Sequence, residues 1–250
     1  MTTLDWLPDD EARAAGEVLD AITRGAGEKL VSVVAVGAYV PPRWPTVADR
    51  VELLVVLSEA PMFVLGNLAH QVRQRDESAR VSVLVMTERE LLRATDVFTL
   101  ELADYGSRHR VLTGRDVLRD LHFTPGELRL AIERRLRFLS RDVRQTMLTG
   151  AWHDGRPAKV RAVLRRALGD LLVVSHNLAV LAGVEPVVGE EDLLRALAER
   201  ATVNPERITR TVEQLRGGEA FARPVEVLGE LLELVDGATR VVDAMGVALA

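Results

Sequence analysis

VSVVAVGAYVPPRWPTVADRVELLVVL, running from Val31 to Leu57, decides the fold of this chain. Two β-branched apolar runs, Val31–Val36 and Val51–Leu57, read as buried strands. Between them lie Gly37, a loop broken by Pro41, Pro42 and Pro45, and the charged residues Asp49 and Arg50. Glu52 is the one carboxylate inside the second run.

Outward from this stretch the chain alternates strand and helix. Pro8-Asp9-Asp10 predicts a helix start, with acids at the positive end of the dipole, and Gly25 and Gly27 predict its close near Arg24. Met62 to Arg75 carries Val64, Leu65, Leu68 and Val72 at helical spacing. Val81–Met86 reads as a third strand, and Thr87 with Glu90 forms a capping box that opens another helix. Helices packed on a sheet follow from that alternation. After Phe123 the pattern becomes wholly helical. Thr124-Pro125-Gly126-Glu127 is a second capping box that opens a helix to about Gly150. A helix follows Gly155-Arg156-Pro157 and runs to Ala182, and it is apolar on most faces between Leu171 and Leu181, which places it at the centre of a bundle. Asn204-Pro205 and Pro224 open two more. The expected division is an α/β domain over 1–120 and a bundle of four or five helices over 121–250.

Composition narrows the function. The chain has 250 residues, enough for one large or two modest cores. Its 48% hydrophobic and 28% charged content is that of a globular protein. A net charge of −5 argues against general nucleic-acid binding. Lysine occurs only at Lys29 and Lys159, so arginine carries nearly all the positive charge. The absence of cysteine excludes disulfides, thiol nucleophiles and Cys-ligated metals. No apolar run approaches the roughly 20 residues of a membrane span, and the acidic N-terminus lacks a signal-peptide pattern, so a cytoplasmic location is expected.

The Val31–Leu57 layout resembles the core of polymerase-β-type nucleotidyltransferases, in which one strand ends in Gly-Ser and a later strand carries Asp-x-Asp before a Leu-Leu-Val-Val run. Ungapped, the glycine falls on Gly37, the serine on Ala38, the first carboxylate on Arg50 and the second on Glu52. A second passage, Leu100-Glu101-Leu102 with Asp104 and then Leu112-Thr113-Gly114-Arg115-Asp116, is similar to one in bacterial nucleotidyltransferase-like proteins. The resemblance spans the first half of the chain. It implies an α+β fold, with a nucleotidyltransferase-like mixed sheet, flanking helices and a C-terminal helical bundle. If the chemistry is retained, it implies Mg²⁺ and ATP as cofactors.

Nucleotidyl transfer of that kind needs Mg²⁺ to activate the attacking hydroxyl and neutralise the leaving pyrophosphate, and Mg²⁺ takes oxygen ligands. Carboxylates at i and i+2 of a strand share a face, but here those positions hold Arg50 and Glu52. A guanidinium about 5 Å from a divalent ion repels it by roughly 6–7 kcal/mol at an effective dielectric near 20. Arg50 is therefore expected to pair with Glu52 in place of the metal. Ala38 has no hydroxyl, the loop prolines have no N–H for phosphate, and the third strand offers Ser82 where a third carboxylate is usual. The reading that follows is a degenerate nucleotidyltransferase binding a nucleotide-like or small ligand in a cleft between its domains, through Gly37, Ala38, Arg50 and Trp44. Trp44 either covers the sheet end or stacks a base. One alternative is an active Mg²⁺-dependent enzyme using Asp49 with Glu52, which requires a bulge because residues three apart on a strand face opposite ways. Another is an antitoxin-like or structural partner, with a protein partner or a homodimer.

Weaker candidates complete the survey. His70, His109, His122, His153 and His176 show no metal-ligand spacing. Arg115 and His122 have the Arg-x₆-His spacing of some helical ribonucleases. Ser175-His176-Asn177 is polar within an apolar helix, either bonded between helices or facing the cleft. Arg134, Arg135, Arg137, Arg141 and Arg144 read as a solvated face or an anion-binding wall.

Overall fold

The computed structural model describes residues 4–73, 79–149, 157–217, 221 and 223–248, and they divide into two compact units, Met1–Phe123 and Thr124–Ala250. Arg75, Gly150, His153, Gly155 and Arg156, named in the sequence reading, lie outside the described residues.

The first unit runs α1 (Asp9–Ala26), β1 (Leu30–Val36), β2 (Val51–Leu57), α2 (Met62–Arg73), β3 (Val81–Thr87), α3 (Glu88–Arg93), α4 (Thr99–Ser107) and β4 (Arg110–Gly114). Gly25 does not end the first helix. It lies within the last turn of α1, where its missing side chain lets α2 approach, since a Cβ there would lie 3.1 Å from the Leu68 Cα; Gly27, at φ 55°, makes the stop instead. The two runs of the opening stretch are adjacent strands: β1 pairs antiparallel with β2, from Leu30 opposite Leu57 to Val36 opposite Glu52. The sheet is mixed, in the order β3-β2-β1-β4, with β2 and β3 parallel and β1 and β4 antiparallel.

Alternation along the strands sorts the side chains into two cores. Val33, Ala35, Leu53 and Val55 pack with Ala14, Val18 and Ile22 of α1 and Val64 and Leu68 of α2. Val34, Val36, Leu54, Val56 and Met86 pack with Leu91 of α3 and Leu102 of α4. Glu52 shares the parity of Leu54 and Val56 and therefore points toward the α4 side. The Thr87–Glu90 capping box is formed, with both reciprocal bonds present.

The second unit comprises α5 (Pro125–Leu148), α6 (Pro157–Leu181), α7 (Glu190–Arg200), α8 (Pro205–Gly217) and α9 (Pro224–Ala248). The Thr124–Glu127 capping box opens α5. No residue from Ala167 to Ala179 of α6 is exposed, and α5, α7 and α9 are its covering neighbours. Among the described residues no helix is long and apolar enough to cross a membrane.

Candidate functional site

The site forms where β1 ends. Gly37 follows Val36 at φ 79°, a left-handed conformation that glycine adopts without penalty. A second constraint acts at the same position, because a Cβ on residue 37 would fall inside van der Waals contact with the Glu52 carboxylate. Gly37 and Glu52 are thus held against one another by adjacent strands. The following loop folds on itself: Val40 N–H donates to the Gly37 carbonyl (3.2 Å), Trp44 N–H to that of Ala38 and Ala48 N–H to that of Trp44 (both 2.9 Å). These bonds turn Trp44 inward, and it is 2% exposed.

The Trp44 ring is covered by Arg108, whose guanidinium carbon lies 3.4 Å from the ring centroid. Arg108 caps α4 and reaches back one turn to Asp104, with Nη2 at 3.0 and 3.2 Å and Nε at 3.3 Å from the carboxylate oxygens. This fork-to-carboxylate pair is almost fully buried, with side-chain exposures of 5% and 4%. A bidentate, stacked arginine is held at a fixed position in a way a lysine is not. Glu52 lies in the same field. Burial raises its pKa first and the Asp104 carboxylate second, while the Arg108 guanidinium opposes both.

Several expectations change. Arg50 does not pair with Glu52. It sits just before β2, its side chain is 57% exposed, and its ion pair is with Asp49 at 3.8 Å. The i, i+2 argument fails because residue 50 lies outside the regular strand, so the parity rule does not apply to it. The cation beside Glu52 is Arg108. Asp49 does not converge with Glu52 either: its side chain is 70% exposed, and its charge acts on Tyr39 together with Glu11 of α1, on the opposite side of the sheet. Trp44 offers no free face on the side that Arg108 covers. Ser82, beside Glu52 in the β2–β3 register, brings only a hydroxyl.

These residues do not fit the divalent ions that the fold implies. Among the described residues no three His, Asp or Glu side chains gather to hold a metal. The two buried polar atoms of this cluster that lack a hydrogen-bond partner are Trp44 Nε1 and Arg108 Nη1. Both are donors, and a cation supplies an acceptor to neither. The positive charge is already present in Arg108.

Two solved structures resemble the chain. Spectinomycin adenyltransferase AAD(9) from Enterococcus faecialis superposes with a TM-score of 0.59 at 13% identity, covering 91% of this chain and 98% of that one. The fold is nucleotidyltransferase-like. A nucleotidyltransferase-like protein from Exiguobacterium sibiricum matches at 18% identity over 90% of this chain and 75% of that one, with a TM-score of 0.29. No family model and no curated protein matches the sequence.

The remaining candidates have local roles on this nucleotidyltransferase-like scaffold and its companion bundle. His109 bonds the Tyr105 carbonyl at 2.9 Å and Asp116 at 3.1 Å. Arg115 pairs with Glu88, and His122 is exposed. Ser175 donates to the Leu193 carbonyl of α7 at 2.6 Å, and Asn177 to that of Val173 at 2.9 Å, so both spend their donors within the bundle. The arginine stripe is largely tied down: Arg135 pairs with Asp170, Arg137 with Glu133 and Asp243, and Arg144 with Asp236. The pair the sequence reading missed is Asp104–Arg108. Its only signal is an i, i+4 acid–base spacing, which many exposed helices share.

Glu52 makes the first prediction. Its raised pKa means the folded state holds a proton that the unfolded chain releases nearer 4.5. The associated stability is therefore complete below that value and is lost as pH rises through the folded pKa. Glu52→Gln should unfold at higher urea than the wild type at pH 8, and the gap should close toward pH 4.5. A constant gap across that range would show that the carboxylate does not titrate in the fold.

Proposed function

We propose that this protein binds a nucleotide-like or other small ligand on a nucleotidyltransferase-like scaffold that no longer runs two-metal nucleotidyl transfer. The observation that carries the reading is Arg108, buried, paired with Asp104, stacked on Trp44 and set beside Glu52. A fixed guanidinium here disfavours a divalent ion by Coulomb repulsion and already supplies the positive charge beside Glu52. The ligand class follows the similar fold of the adenyltransferase, which was solved with ATP and spectinomycin. Gly37 and Ala38 supply a tight backbone turn beside Glu52, where a ligand meets main chain without a competing side chain at Gly37.

Calorimetry with ATP tests this directly. The expected result is ATP binding of equal affinity with Mg²⁺ and with EDTA, and no Mg²⁺-dependent ATP consumption. Robust Mg²⁺-dependent consumption, abolished by Glu52→Ala or Asp49→Ala, would instead establish an active enzyme with an altered carboxylate set.

A further inference from the structure

The α3–α4 side of the sheet is not fully covered at β3. Leu84 and Met86 share that side by strand alternation, and Met86 joins the core with Leu91 and Leu102. Leu84, at the centre of the strand, stays 47% exposed. Beside it β3, α3 and α4 line an open groove of about 880 Å³ that includes Leu84, Met86, Val97, Phe98 and Leu102. Val97 and Phe98 are 61% and 48% exposed. The groove begins beyond Ser82, the register partner of Glu52, so it extends along β3 away from that carboxylate.

We propose that this groove binds a small amphipathic anion, a hydrocarbon chain ending in a carboxylate. The polar side chains of the lining decide the class. Thr87 and Glu90 are committed to each other in the capping box, and Glu101 and Tyr105 are engaged within the chain. Arg89 and Arg93 remain. Both line the groove and are exposed, and among the described residues neither makes a hydrogen bond or an ion pair. Lying four residues apart on α3, they share a helix face and can grip one carboxylate together. The nearby charges of Glu90 and Glu101 favour a singly charged head over a doubly charged phosphate. The rest of the lining is apolar and offers no side chain to hydrogen-bond a sugar or a base, which suits a hydrocarbon body. The volume is that of a small-molecule site. This inference does not depend on the ligand reading at Gly37 and Glu52.

Calorimetric titration of the full chain with decanoate, kept below its micellar concentration at neutral pH, measures the binding. The wild type should bind decanoate saturably. Decyltrimethylammonium, with the same chain and the opposite charge, should bind about tenfold more weakly or worse. Acetate, the head alone, should not bind. Arg89→Gln combined with Arg93→Gln removes both exposed cations and should lower decanoate affinity by about tenfold or more, with an unchanged circular-dichroism spectrum. Val97→Asp, at an exposed position of the lining, should weaken decanoate as well. No saturable decanoate binding, or equal binding of the two amphiphiles, would overturn the proposal. Affinity unchanged in the arginine variant would overturn it by placing the chain elsewhere on the protein. A wild-type dimer in sedimentation velocity that Val97→Asp dissociates would overturn it too, because a second copy would then fill the groove.

Discussion

Arg108→Ala is expected to lower stability by about 3–5 kcal/mol, the usual consequence of leaving one partner of a buried ion pair alone. The physical basis is local. Asp104 would remain 4% exposed with no cation on its carboxylate, and the face of Trp44 would lose its stacked guanidinium. Urea unfolding followed by far-ultraviolet circular dichroism reads the change as a lower midpoint. Arg108→Lys should recover little, because an ammonium neither forks onto the carboxylate nor stacks flat on an indole. Asp104→Leu combined with Arg108→Met should be far more stable than Arg108→Ala, since it removes both charges while filling the space. A loss below about 1 kcal/mol for Arg108→Ala would match a solvated pair. It would also remove the fixed cation on which the metal-independent reading depends.

Gly37→Ala is the second large effect. A left-handed L-residue costs roughly 1–2 kcal/mol, and φ at this position is 79°. The added methyl would also collide with the Glu52 carboxylate, so Glu52 must move off the strand face it now occupies. The two contributions separate experimentally. Placing Glu52→Ala in the Gly37→Ala chain should recover the steric part and leave the backbone part. The displaced carboxylate should also alter ATP affinity, linking the turn to the proposed ligand site. Wild-type stability in Gly37→Ala would mean that this turn is not held as described.

Much of the fold was legible in the residues themselves. The β-branched runs of β1 and β2, the glycine between them, and the Thr87–Glu90 and Thr124–Glu127 boxes are local signals, and local bonding enforces each of them. The resemblance on Gly37 and Glu52 pointed to the right architecture because strand parity and turn geometry survive when reactive groups change.

The site was legible only in part. Glu52 was found because it interrupts an apolar strand, and its inward direction follows from alternation. Its counter-charge was assigned to Arg50, two residues away, whereas the fold supplies Arg108 from α4, 56 positions along the chain. Residue 50 lies outside the strand, where period-two reasoning has no force. Asp49 precedes the strand as well, and its charge acts on Tyr39 rather than joining Glu52. Trp44 reads equally well as a lid or a base-stacking platform until the loop bonds through Ala38 and Ala48 place it. The sequence by itself determined which segments become strands and helices, and which strand face carries the carboxylate, because those depend on neighbours a few residues apart. Tertiary structure alone decided which of thirty arginines is buried against that carboxylate. Desolvation and ion pairing depend on distance in space, and no local pattern distinguishes Arg108 from the others until α4 is packed on the sheet.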